Sequence, residues 1–202
     1  MNKLNNYLLF VIIIFINSSI FSQENNQVPL NEFKNHFRIG INYTLNGTGD
    51  EISAMYQNEY QRKLNKYLEI GLGIGFSSYM KDVPVNNVPT YNSTSIISTD
   101  LVVNLLVVDF DYIFFKVGAG YSLRHVKRIK WETLEYITDS NGQNIPVVTY
   151  NRIKGFDKGV IAQMELGFRF ATHFATSLSG RYYGEGQYIS LALAGINFYY
   201  SF

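Results

Sequence analysis

The sequence predicts an all-β fold: a cleaved signal peptide followed by one eight-stranded antiparallel up-and-down β-barrel of the transmembrane kind. Three observations predict it. Eight segments alternate residue character with period two, the links between them alternate short and long, and one parity of each segment is almost uncharged. Composition agrees, since 16 Tyr, 15 Phe and 16 Gly against four Pro suit closely packed strands better than helices.

Residues 1–22 read as the signal peptide. Lys3 precedes the apolar run Tyr7 to Ile16, and Asn17-Ser18-Ser19 follow, with cleavage expected near Ser22–Gln23. That run is too short to span a bilayer comfortably, and no second run of 18 apolar residues follows. Residues 23–35 form a polar lead-in, and 36–202 form the barrel. The absence of Cys leaves neither disulfides nor a lipid-modified Cys. Once Lys3 is removed, sixteen basic residues face sixteen acidic ones, so the net charge makes no case for nucleic acid or another polyanion.

The first strand, around HFRIGINYTL, sets Phe37, Ile39, Ile41 and Tyr43 against Arg38, Gly40 and Asn42. The second sets Ile52, Ala54, Tyr56 and Tyr60 against Gln57, Glu59 and Gln61. Asn58 falls on its apolar side, which suggests a bulge or register change there. The third, Tyr67 to Tyr79, is the clearest: Leu68, Ile70, Leu72, Ile74 and Phe76 oppose Glu69, Gly71, Gly73, Gly75 and Ser77. In the fourth, Leu101, Val103, Leu105 and Val107 oppose Asp100 and Asn104, with Val102, Leu106 and Val108 blurring the contrast. The fifth sets Ile113 to Leu123 against Lys116, Gly118, Gly120, Ser122 and Arg124. The sixth sets Val160 to Phe170 against Gln163, Glu165, Gly167 and Arg169. The seventh sets Phe174, Thr176, Leu178 and Tyr182 against Ser177, Ser179 and Arg181. The eighth, Ile189 to Phe202, ends on an aromatic.

Tight links follow strands two, four and six, at Asn65-Lys66, Asp109–Asp111 and Ala171–His173. Longer ones follow the odd strands, at 46–51, 80–95, 126–157 and 184–187. All the longer ones lie at one end, the asymmetry of outer-membrane barrels. The face carrying Gly, Ser and mixed charges is expected inside, where small residues make room for long arms. These interior charges are Arg38, Glu59, Glu69, Asp100, Lys116, Arg124, Glu165, Arg169 and Arg181. Because buried charges persist when paired, a closed network is favoured over a water-filled pore. The uncharged face then meets lipid. Phe37, Tyr67, Phe110, Tyr112, Phe168, Phe170, Phe174, Phe198, Tyr200 and Phe202 gather near the short turns, while Tyr43, Tyr56, Phe76, Tyr79, Tyr121 and Tyr182 lie toward the loops. Two such belts mark the two membrane interfaces.

On these residues the chain resembles the small eight-stranded outer-membrane barrels, OmpA/OmpX-type and PorT-type, of Gram-negative bacteria. The resemblance covers about Asn35 to Phe202 and implies outer-membrane localisation. It also implies that the barrel-assembly machinery reads a C-terminal signal, matched here by Phe198, Tyr200 and Phe202. The usual signal carries a Gly nearer the end than Gly195.

The residues suggest little catalysis. His36, His125 and His173 do not share metal-ligand spacing, and no cofactor is implied. Some similar barrels modify lipid A with a His and a Ser or acid. Here His125 and Ser122 have opposite parity and point to different faces, with Glu132 the nearby acid. The connection 126–157 keeps alternating and contains Asn141-Gly142, a hairpin signal, so strands five and six are expected to continue as an extracellular ribbon carrying Trp131 and Tyr136. Its edge could add a partner strand. The expectation is a monomeric, non-enzymatic, porin-like envelope protein with a closed polar interior, held in outer-membrane lipid and presenting its loops to a possible protein partner. A small passive pore, a lipid A-modifying enzyme or a PorT-like component of secretion or gliding machinery are the alternatives.

Overall fold

The computed structural model describes residues 34–46, 51–184 and 190–202; the expected signal peptide and most of the lead-in lie outside them. Eight antiparallel strands close one barrel in sequence order. They are β1 (Asn35–Asn46), β2 (Glu51–Lys63), β3 (Leu68–Asp82), β4 (Tyr91–Asp109), β5 (Ile113–Thr138), β6 (Asn144–Arg169), β7 (Phe174–Tyr183) and β8 (Leu191–Ser201). The barrel closes through β1 and β8, paired from His36↔Ser201 to Asn46↔Leu191. At that seam Phe202 N donates to Asn35 O at 2.9 Å and Asn35 N donates to Phe202 O at 3.2 Å. Closure removes every edge from the barrel wall, which is why alternation with period two holds all the way round.

The parities separate as the chemistry of the side chains requires. In β1 the residues Arg38, Asn42 and Thr44 are buried, while Phe37, Ile39, Ile41 and Tyr43 point outward. The same division runs through β3 and β6. Asn58 lies in an unbroken ladder opposite Ile39 and Ile74, so the expected irregularity is not there. Its amide simply points outward among apolar neighbours. The ladder shifts instead between Leu106 and Val108 and between Trp131 and Thr133. The apolar residues that blurred β4, Val102 and Leu106, point inward and are buried.

Short turns at residues 64–67, 110–112 and 170–173 lie at the end where the described chain begins and finishes. Asn65 Oδ1 closes the first by accepting from Tyr67 N at 2.8 Å and Leu68 N at 3.0 Å. The opposite end differs from expectation at residues 80–95. There β3 and β4 continue to Asp82 and from Tyr91, and Val85 bridges Val88. Between them Asn86 and Asn87 both have positive φ, the geometry of a type I′ turn that Asn tolerates. The long connection is thus a hairpin. Residues 126–157 likewise lie in β5 and β6 except for the turn at 139–143. That turn is a three-residue loop with Gly142 at φ 79°, and Asp139 Oδ1 accepts from Asn141 N at 2.9 Å and Gln143 N at 2.7 Å.

Candidate functional site

The barrel interior holds the densest chemistry. Small residues make it possible, because a Cβ on Gly71 would come within 2.5 Å of Glu59 Oε1 and one on Gly118 within 2.2 Å of Asn104 Oδ1. Long polar arms therefore fill the space that the glycines leave.

At mid-height, Glu59 Oε2 accepts from Arg38 Nη2 and from Arg181 Nη2, the latter at 2.8 Å. Arg181 Nη1 also donates to Asp100 Oδ2 at 3.0 Å. Asp100 further accepts from Tyr183 OH at 2.6 Å and Ser122 Oγ at 2.7 Å. Glu165 accepts from Arg38 Nη1 at 3.4 Å and from the hydroxyls of Ser177 and Tyr199. Toward the short turns, Lys116 Nζ donates to Glu69 Oε2 at 2.7 Å and Gln61 Oε1 at 3.0 Å. The same ammonium lies 4.8 Å from the Phe114 ring centroid and 4.9 Å from that of Tyr199. Toward the other end, Arg124 Nη2 donates to Asp157 Oδ2 at 2.9 Å. Charges taken out of water need this density of partners.

Of the nine charged residues assigned to the interior from sequence, eight are buried together in this way. Arg169 is placed differently. It sits at the short-turn rim, where it donates to Asp109 Oδ1 at 2.5 Å and Phe110 O at 2.6 Å. Asp157, the counter-ion of Arg124, is not among those nine, because the sequence reading assigns 126–157 to a connection. Continuing the Gln163–Ile161–Gly159 parity one step further would have found it. The sequence reading also misses Tyr183, which shares the parity of Arg181, and Tyr199, an inward residue in a strand judged by its outward aromatics.

Two clusters of apolar side chains interleave with these polar groups. Leu106, Phe114, Ala175 and Tyr199 cluster near the short turns. Met55, Ile96, Val102, Val126, Ile161, Tyr183, Leu191 and Leu193 cluster toward the other end. Neither cluster is among the expectations from sequence, in which Val102 and Leu106 only blur the contrast of β4.

The remaining candidates are dispersed. Ser122 is buried on Asp100, whereas His125 points outward with its ring 5.1 Å from Phe156. His36 is buried, with Nδ1 2.8 Å from Ser201 Oγ. No group of three or more His, Asp or Glu suited to a metal ion occurs among the described residues. Phe198, Tyr200 and Phe202 point outward beside the closing seam, with Tyr200 and Phe202 stacked at 5.9 Å. In the ribbon Tyr136 is exposed and Trp131 half-buried, and Asn141 and Gly142 form its tip. Trp131 N donates to Asn92 Oδ1 at 3.2 Å, tying the ribbon base to β4.

No family model matches the chain, and no curated protein matches it in sequence. Solved structures do match in fold. Ail, the attachment invasion locus protein of Yersinia pestis, crystallised with the heparin analogue sucrose octasulfate, aligns with a TM-score of 0.51 at 11% identity, covering 85% of this chain and 99% of Ail. Neisserial surface protein A aligns with a TM-score of 0.50 at 10% identity, covering 84% of this chain and 97% of that one. The fold is therefore that of small eight-stranded outer-membrane barrels.

Proposed function

We propose that this protein is a non-enzymatic, integral outer-membrane β-barrel that presents its β5–β6 ribbon and the β3–β4 hairpin outside the cell. The observation that carries the reading is the outward face. From Phe37 and Ile39 through Leu72, Ile74, Leu101, Val103, Val160, Met164 and Ile196 it exposes large apolar side chains around the whole wall. Soluble proteins rarely expose apolar patches beyond a few hundred Å², and a closed barrel satisfies its own backbone in hydrocarbon. Exposed aromatics at both ends of the apolar band fit the two interfaces of a bilayer.

Paired charges packed together with apolar side chains in the interior support a plugged barrel in place of a pore. The ribbon supports a surface-interaction role: above Ile129 β5 has lost its pairing with β4, and above Ile161 β6 has lost its pairing with β7. These free edges suit strand addition by a protein partner, with Trp131 and Tyr136 alongside. The attachment named for Ail is the same broad kind of role. Fractionation tests the reading: the mature chain should sediment with outer membranes and shift mobility on gels after boiling, and recovery in the soluble periplasm would refute it. Bilayer recordings should be silent.

A further inference from the structure

The near-zero net charge conceals a basic collar. Where the ribbon leaves the barrel, β5 contributes Lys127, Arg128 and Lys130 and β6 contributes Arg152, Lys154 and Lys158. The single acid within this stretch, Asp157, is buried against Arg124. The ladder places Lys127 directly opposite Lys154, a like-charge pair that disfavours the hairpin unless something outside neutralises it. By the same ladder Leu123 faces Lys158, His125 faces Phe156 and Ile129 faces Arg152. Lys127, Lys154, Lys158 and Arg152 thus share the outward face with Phe156, which is 77% exposed. No ion pair reaches these four cations among the described residues. The neighbouring strand β4 presents only Ser93 and Ser95 beside them, and the nearest charges on β3 are Lys81 and Asp82 at its tip.

Height decides what can meet this face. Leu123 lies ten residues above Ile113, roughly 25 Å along the barrel at about 3.3 Å per residue and a tilt near 40°. That is the height of an apolar band, so Lys158 stands at its upper margin and Lys127 with Lys154 roughly 10 Å beyond. From the outward cations, their interleaved apolar residues and this height, we infer that the ribbon base binds the phosphate groups of lipid headgroups in the surrounding outer leaflet. The inference rests on the membrane reading above and deepens it. Each phosphate offers acceptors for two or three ammonium groups and relieves the Lys127–Lys154 repulsion, while Phe156, about 5 Å above the band, stands at the interfacial level that aromatic rings favour. A soluble polyanion would need cations turned away from the bilayer, whereas these project along its surface.

The single tryptophan, Trp131, reports on the site, because it lies on the same outward parity two residues beyond Ile129. The mature chain would be folded into nanodiscs of phosphatidylcholine containing a small fraction of dansyl-labelled lipid, either phosphatidic acid or phosphatidylcholine. Energy transfer from Trp131 should report local enrichment of the phosphatidic acid of about fivefold or more over the choline lipid. The preference should disappear in K127Q/K154Q/K158Q and weaken in 0.5 M salt, at about that concentration by screening. Equal transfer from both lipids in a correctly inserted barrel would overturn the inference and leave the membrane reading intact. Failure of the chain to insert, seen as a missing heat-modifiable band, would overturn both. Tight, charge-dependent binding of heparin to choline-only discs without any lipid preference would assign the collar to a soluble polyanion and also overturn it.

Discussion

Replacing Glu59 with Gln should unfold the barrel more easily than any rim substitution. Glu59, Arg38 and Arg181 are 2%, 1% and 5% exposed, and one carboxylate oxygen accepts from both guanidinium groups. Gln keeps the volume but loses the charge, and its amide turns donors toward groups that are already donors. Arg38 is then left with Glu165 at 3.4 Å, and Arg181 with Asp100 at 3.0 Å. Two charge-assisted hydrogen bonds at about 1.5–3 kcal/mol each, or a broken buried pair at about 3–5, give a loss of about 3–5 kcal/mol. At a urea slope of about 2 kcal/mol/M the unfolding midpoint in detergent micelles should fall by about 1.5–2.5 M. Asp109→Asn removes the partner of Arg169 at the rim, where Asp109 is 21% exposed, and should cost about 1 kcal/mol or less. A Glu59→Gln midpoint within about 0.5 M of the parent, or an equal loss from Asp109→Asn, would refute the argument that burial sets the energy of the network.

Three further outcomes are expected. Gly167→Ala places a Cβ 2.0 Å from the Phe114 ring and should cost about 1–3 kcal/mol in the same urea titration, whereas Gly180→Ala, whose Cβ meets only Met164 at 3.8 Å, should stay within about 0.5 kcal/mol. Asn58→Leu removes an outward amide that has no hydrogen-bonding partner among the described residues from an apolar face and should raise stability in lipid vesicles by about 1 kcal/mol; a loss of stability would show that the amide is used. Deleting Phe202 should lower the amount of barrel in outer membranes several-fold while leaving refolding in detergent nearly unchanged. Equal losses in both assays would mean that Phe202 acts through its backbone pair with Asn35 instead of as an assembly signal.

The wall of the barrel was legible from residues alone. Period-two alternation assigns each side chain to a face, and a closed sheet has no other way to sort Leu72 from Gly73 or Met164 from Glu165. The interior partners were not legible, because parity names the face a residue occupies and says nothing about its height. Arg38 and Arg181 meet on Glu59 across 21 and 122 residues through the stagger of the strands. Arg169 shares their parity yet ends at the rim for the same reason. Asn58 looked like a fault in the pattern and is a regular position whose side chain is out of keeping with its neighbours. The basic collar shows the same limit on charge. VKRIK and NRIK are 21 residues apart in sequence and cancel against acids elsewhere in any total, and antiparallel pairing of β5 with β6 sets Lys127 against Lys154. Faces follow from local geometry, which the order of residues carries; encounters follow from strand register and barrel closure, which exist only once the chain has folded.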